Sequence, residues 1–274
     1  MLLSVVAGPA RAAEAWNRVG SSGELRWGAD TSGGAPYVYQ NPEDPSRLIG
    51  FELDIMEALA KSLGVKAKLV AIPWDQLIPS LLRDDCDIAF NGLEVTADRA
   101  KTINFSNPYY VFSEQITVRR RNIHDSVAGA ANSSGGQIRR FEDLRGRRVG
   151  TLSASLAYTL MVRDSKITVV AYPGPVEIYK DLEIGRLDAV LLDVPMAAYY
   201  AGPNPALENL PDLAGEGLYA GGLRKDSPVL RQKINEAVAR MFASGEMESI
   251  YRKWNLWNGR QKKLLHPTTA KLSR

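Results

Sequence analysis

One cysteine and two histidines are all that this chain of 274 residues carries of those types. Cys86 has no second cysteine for an intramolecular disulfide, and alone it cannot build a multi-thiolate zinc site. It stands in Asp84-Asp85-Cys86-Asp87, where carboxylates oppose a thiolate, so it is expected to be structural. His124 falls in the Ser/Gly/Ala-rich stretch Asn122–Gln137 and His266 near the last residue, so no base is in place for a Ser-His-Asp or Cys-His nucleophile. No run approaches the roughly 18 apolar residues that span a bilayer; Ala189–Ala201 is broken by Asp193 and Pro195. A phosphate loop of the form G-x-x-x-x-G-K-[ST] is missing, and Gly215-x-Gly217 has no strand before it. These absences favour binding over catalysis, with no metal and no cofactor expected.

The rest is ordinary globular material: 45% hydrophobic and 24% charged residues, 23 Gly and 15 Pro. The net charge of +3 is unevenly placed. Arg260, Lys262, Lys263, Lys271 and Arg274 face no acid within 259–274, and the remaining residues carry 29 basic against 31 acidic groups. The excess positive charge therefore belongs to a tail and is no footprint of a nucleic-acid partner. At the other end, Leu2–Ala7 is a short apolar run, and Ala10-Arg11-Ala12 has the small-x-small form of a signal-peptidase site, though the basic n-region is missing. Residues 1–23 read as processing and not as fold, so an exported, periplasmic location is expected.

Leu25–Ala29 predicts a strand. Glu52–Leu63 spaces Ile55, Leu59 and Leu63 as an amphipathic helix ending at Gly64. Val65–Ile72, Asp75–Leu82 and Asp87–Asn91 continue as strand, helix and strand, a βαβαβ unit that implies a parallel sheet covered on both faces. The same order returns in Arg148–Leu152, a helix from Ser155, Ile167–Tyr172, Pro175–Ile184 and Asp188–Leu192. Tyr219–Leu223 then predicts a strand, and Ser227–Ala243 and Glu246–Trp254 helices. The α/β chain thus divides into a first lobe, 24–110 with 219–258, and a second, 111–218, with the basic tail 259–274 after them. Two crossings, near Tyr109–Ser113 and Gly215–Tyr219, form a two-stranded hinge, and a ligand is expected between the lobes at the carboxyl ends of the strands.

The most informative segment is Asp87–Arg99. A buried strand opens into a Gly turn, then Glu94, then Thr96 as a helix cap with Arg99 one turn on. That spacing places a carboxylate and a guanidinium at a strand's carboxyl end, where an arginine fork can hold a ligand carboxylate. The same spacing equally permits a local Glu94–Arg99 surface pair.

Six ordered motifs carry a resemblance: Gly50-Phe51-Glu52-Leu53-Asp54-Ile55, Ile78-Pro79-Ser80-Leu81, Gly92-Leu93-Glu94-Val95-Thr96 with Arg99, Phe105–Tyr110, Asp143–Gly150 and Arg186–Asp193. Over Glu24–Trp254 the chain resembles the periplasmic amino-acid-binding proteins of ABC transporters, solute-binding protein family 3, with the two-lobed type II "Venus flytrap" fold. The resemblance implies that Arg99 clamps the α-carboxylate of an L-amino acid with help from backbone N–H groups near Ser155. It implies that Glu94 and Asp193 take the ammonium with a carbonyl of Asn91 or Gly92, and that Trp74 forms an aromatic wall with Tyr37 as its partner. Plain core packing is the alternative for Trp74, and a helix N-cap for Asp193. Glu94 stands where the family often has Ser or Thr, and Leu152 where several glutamine-type receptors have Lys. Asp30, Glu94 and Asp193 against Arg99 leave the cleft at −2, which favours a cationic ligand over a neutral polar one and disfavours glutamate. Further expectations are a monomer and a membrane permease as partner. The rivals are a cyclohexadienyl-dehydratase-like enzyme with Glu94 as general acid, and a sensor or receptor module of a larger polypeptide.

Overall fold

The computed structural model describes residues 10–32, 34–120 and 137–264. Residues 1–9 of the expected leader, His124 in its loop, and the end of the basic tail with His266 lie outside the described residues. The described chain divides into two compact units, the first running to Val111 and resuming at Leu218, the second spanning Phe112–Gly217.

The first unit begins with α1 (Ala10–Ser22) and β1 (Glu24–Ala29), followed by the hairpin of β2 (Tyr39–Gln40) and β3 (Leu48–Ile49). Next come α2 (Phe51–Ser62), β4 (Lys66–Ala71), α3 (Leu77–Leu82), β5 (Ile88–Ala89), α4 (Ala97–Thr102) and β6 (Asn104–Phe105). Gly64, at φ 75°, ends α2 in the left-handed region that glycine tolerates, as the sequence pattern requires. The face of α2 made by Ile55, Met56, Leu59 and Ala60 is buried. β7 (Tyr110–Arg119) leads out of this unit and β11 (Leu207–Tyr219) leads back, to β12 (Gly222–Leu223), α8 (Pro228–Ala243) and α9 (Glu246–Lys253). The sheet order is β4-β1-β5-β12-β6. β1 pairs in parallel with β4, from Glu24↔Lys66 to Ala29↔Ala71, and with β5 at Trp27↔Ile88.

Two expectations need correction. The sheet is mixed: β12 runs antiparallel to both β5 and β6, because the returning chain enters the sheet directly, without a helical crossover. The N-terminal segment is also part of the fold from Ala15 onward. Ala15 and Val19, four residues apart, are buried, α1 packs on α8, and Arg18 donates to the buried carboxylate of Asp87.

The second unit holds β8 (Arg148–Leu152), α5 (Leu156–Val162), β9 (Thr168–Tyr172), α6 (Pro175–Glu183), β10 (Ala189–Asp193) and α7 (Val194–Tyr200). Its sheet order is β11-β7-β10-β8-β9. β8 is parallel to β9 and β10, whereas β10 is antiparallel to β7, so this sheet is mixed too. Ile116, Leu144, Val149, Ala157, Met161, Ala189 and Leu191 form its core. β11 is an edge strand that the sequence pattern misses, since Pro211, Gly215 and Gly217 interrupt it and an edge tolerates them. The start of the expected tail is ordered as well: Gln261 is fully buried, donating from Nε2 to the Val111 carbonyl at 2.8 Å and accepting the Val111 N–H at 2.9 Å.

Candidate functional site

In the first unit the site is built where β5 ends. The Phe90 N–H still donates to Gly28, and Asn91 then turns out of the sheet, its Oδ1 accepting the Asp30 N–H at 3.0 Å. Gly92 follows at φ 60°, and a Cβ there would lie 2.9 Å from the Tyr37 ring, so glycine is required on two counts. Leu93–Val95 runs antiparallel to the returning chain: Ala220 N–H donates to Leu93, Glu94 bridges Tyr219, and Val95 N–H donates to Leu218. Thr96 caps α4 through Oγ1, which accepts the Arg99 N–H at 3.2 Å. The cap sets the first turn of the helix and with it the direction of Arg99.

The Arg99 guanidinium donates from Nη1 to the carbonyl of Glu94 at 2.8 Å and to its carboxylate. It also lies over the Trp74 ring, 5.5 Å from the centroid. Trp74 opens a single 3-10 turn, Trp74–Gln76, after Pro73, and its backbone N–H donates to Asp30 Oδ2 at 3.0 Å. Asn91, Asp30, Trp74, Arg99 and Glu94 therefore form one continuous chain of contacts. Four of the five are polar or charged, and Glu94 is only 5% exposed. Arg99 and Glu94 meet each other, but as a largely buried pair beside the Trp74 ring and not as the surface pair that the spacing also permits. Chemically this is a fork donor, a carboxylate acceptor and a cation-accepting ring face at one strand end.

The Tyr37 ring is buried against Phe51 and Tyr219, with its hydroxyl 2.9 Å from the Tyr219 hydroxyl, and it backs the Gly92 turn.

In the second unit, Leu152, Ser155 and Asp193 lie at the carboxyl ends of the neighbouring parallel strands β8 and β10. Leu152 is largely buried and its carbonyl accepts from Ser155 Oγ at 2.8 Å. The same Oγ accepts the Tyr158 N–H at 3.1 Å and caps α5, after a turn in which Ala154 takes φ 58°. Asp193 caps α7, accepting the Met196 N–H at 3.3 Å. Glu114 lies opposite Asp193 on β7, buried. Burial pushes the Tyr179 phenol well up, and the nearby Asp193 carboxylate adds to that direction.

Sequence reasoning assigned no role to Glu52 or Tyr109. Glu52 is fully buried on α2, and burial with the neighbouring Glu52 carboxylate raises the Tyr109 phenol far above its ordinary value. The available signal was a charged residue on the apolar stripe of a helix, at the spacing Glu52, Ile55, Met56, Leu59. Among the described residues no group of His, Cys, Asp and Glu is arranged to hold a metal ion, and no helix is long and apolar enough to cross a membrane.

Residues 25–256 match the model of the bacterial extracellular solute-binding proteins, family 3. The L-cystine-binding protein TcyJ of Escherichia coli (strain K12) is 29% identical over 221 residues, covering 80% of this chain and 78% of that protein. The histidine-binding periplasmic protein of Salmonella typhimurium is 29% identical over 245 residues, covering 84% and 87%. Among solved structures, the ancestral amino acid-binding protein AncCDT-1, described as a precursor of cyclohexadienyl dehydratase, superposes with a TM-score of 0.76 at 27% identity, over 87% of this chain and 98% of that one.

Proposed function

The chain belongs to the bacterial extracellular solute-binding proteins, family 3, and from that premise we propose that it captures a cationic or polar L-amino acid outside the cytoplasm and hands it to an ABC permease. Its α/β fold is of the type II periplasmic binding class. Amino-acid binding is common to the names of the relatives given above.

The observation that carries the reading is the Glu94–Arg99 pair beside Trp74. A lone anion entering here would take Arg99 and strand a buried carboxylate; a lone cation would do the reverse. Either outcome leaves an uncompensated charge, which is strongly unfavourable. An α-amino acid is a zwitterion. Its carboxylate can replace Glu94 on Arg99 while its ammonium replaces Arg99 on Glu94, so one ion pair opens into two. Asp30, held against Trp74, adds negative charge, which favours a cationic side chain. We assign the ring face of Trp74 to that side chain once Arg99 has left it for the ligand carboxylate, a cation–π attraction worth about 0.5–2 kcal/mol. Carbonyls at Asn91 and Gly92 assist the ammonium, and Tyr37 acts indirectly through Gly92. The protein works as a periplasmic monomer.

Native mass spectrometry for a co-purified amino acid, followed by calorimetric titration with L-arginine, L-lysine, L-histidine, L-glutamine, L-cystine and L-glutamate, tests this. Tightest binding of a cationic or neutral polar ligand is expected, and tightest binding of glutamate overturns it. The AncCDT-1 likeness supplies the second reading, a dehydratase; turnover of arogenate or prephenate by the purified protein would favour it.

A further inference from the structure

A fully buried carboxylate holds the turn that carries the amino-acid site. Glu52 sits on the core face of α2, and its Oε1 accepts the backbone N–H of Gly92 at 2.8 Å and the hydroxyl of Tyr109. Gly92 is the pivot between β5 and Glu94. Its positive φ and its contact with the Tyr37 ring leave it no side chain of its own by which the turn could be fixed. Tyr109 is held on every side: its ring stacks on Phe90 at 4.1 Å and 17°, its N–H donates to Tyr219 at 2.9 Å, and its carbonyl accepts from the Tyr251 hydroxyl. Glu52 therefore joins three segments far apart in sequence, the start of α2, the Gly92 turn and the residue preceding β7.

We infer that Glu52 is a positioning residue for the amino-acid site, its carboxylate fixing the Gly92 peptide and so the places of Glu94 and Arg99. The inference deepens the proposed function and rests on it. The residue type follows from the hydrogen bonds. Two donors converge on one oxygen, so the group must be an acceptor, and a carboxylate accepts N–H and O–H more strongly than a neutral amide does. Glutamine at this position keeps an oxygen for the two donors but offers it uncharged, and its NH2 group replaces the second carboxylate oxygen.

The test uses the full chain labelled with 15N. In the wild-type protein the Gly92 amide proton is expected downfield and strongly protected from exchange; an unprotected Gly92 amide overturns the inference without any variant. In Glu52→Gln, of the same shape, the Gly92 proton is expected to move upfield and exchange at least about tenfold faster, and the Kd for the tightest binder among L-histidine, L-arginine and L-cystine to rise about tenfold, the scale of a charge-assisted bond exchanged for a neutral one. Tyr109→Phe leaves the Gly92 bond in place and is expected to keep that amide protected, with Kd within about threefold of the wild type. A lowered melting temperature in Glu52→Gln with Gly92 and Kd both unmoved shows a merely structural role and overturns the inference. If the wild type binds none of the three amino acids, the proposed function fails, while the Gly92 resonance and exchange still decide whether Glu52 holds the turn.

Discussion

Replacing Arg99 by Ala acts on stability and on binding through different groups. The guanidinium meets the Glu94 carboxylate and carbonyl and covers the Trp74 ring. Removing it leaves Glu94, at 5% exposure, without that counter-ion. For a fully buried pair such a deletion costs about 3–5 kcal/mol. The Arg99 side chain is 14% exposed, so water reaches the vacated space, and we expect the loss to fall to about 1–3 kcal/mol, the price of one unsatisfied buried group. For binding, two charge-assisted bonds from a fork to a ligand carboxylate at about 1.5–3 kcal/mol each amount to roughly 3–6 kcal/mol, a Kd rise of about two to four powers of ten. Calorimetry with the tightest amino acid and thermal melts separate the effects once the double variant Glu94→Gln/Arg99→Ala is included. That variant removes the stranded charge, so its melting temperature is expected to recover while binding stays lost. Arg99→Ala binding within about tenfold of the wild type would refute the clamp. Recovery of binding in the double variant would refute it too, by showing that Arg99 serves only to neutralise Glu94.

Trp74→Leu is expected to raise the Kd for L-arginine by about two- to thirtyfold and that for L-glutamine by less; equal losses, read by titration, would show that the ring supplies bulk alone. Gln261→Leu strips the Val111 N–H and carbonyl of their side-chain partners, so a loss of about 1–3 kcal/mol per buried group should appear in urea unfolding, and an unchanged midpoint counts against the assigned contact. Burial pushes the Cys86 thiol up to about 11, so a thiol reagent at pH 8 should label it only after denaturation, and rapid labelling of the native protein contradicts this. Hydrogen bonds from Arg145 to Asp164 and from Tyr172 to Asp181 hold these carboxyls below their ordinary values. Their stabilisation is present above the unfolded value near about 3.9 and is lost as pH falls through the lower folded values. The denaturant midpoint should therefore drop on acidification below about pH 4, and a midpoint that rises there sinks the argument.

What the sequence discloses depends on how locally each feature is encoded. β1 and β8 lie inside their sheets with β4 and β9 as their parallel neighbours at the edges, and all four are short segments bounded by turn residues, which is enough for a local pattern to find them. The antiparallel entry of β12 is invisible, because no local pattern states the direction in which a returning strand joins a sheet. β11 escapes because an edge strand is allowed Pro211 and two glycines that a pattern rule reads as loop. The site divides in the same way. Arg99 and Glu94 are legible because Thr96 caps the intervening turn, a matter of three residues. That Arg99 also lies over Trp74 is not written locally, because the place of Trp74 rests on Asp30, some forty residues earlier in the chain. The contact of the Tyr37 and Tyr219 hydroxyls joins residues 182 positions apart, which no local pattern foretells. Glu52 is the instructive case. A carboxylate on the buried stripe of α2 contradicts the helix pattern, and since a buried carboxylate without donors is untenable, the contradiction itself implies donors elsewhere in the fold. The pattern alone could not name them as the Gly92 amide and the Tyr109 hydroxyl, but it could say that Glu52 had to be answered by something the helix does not contain.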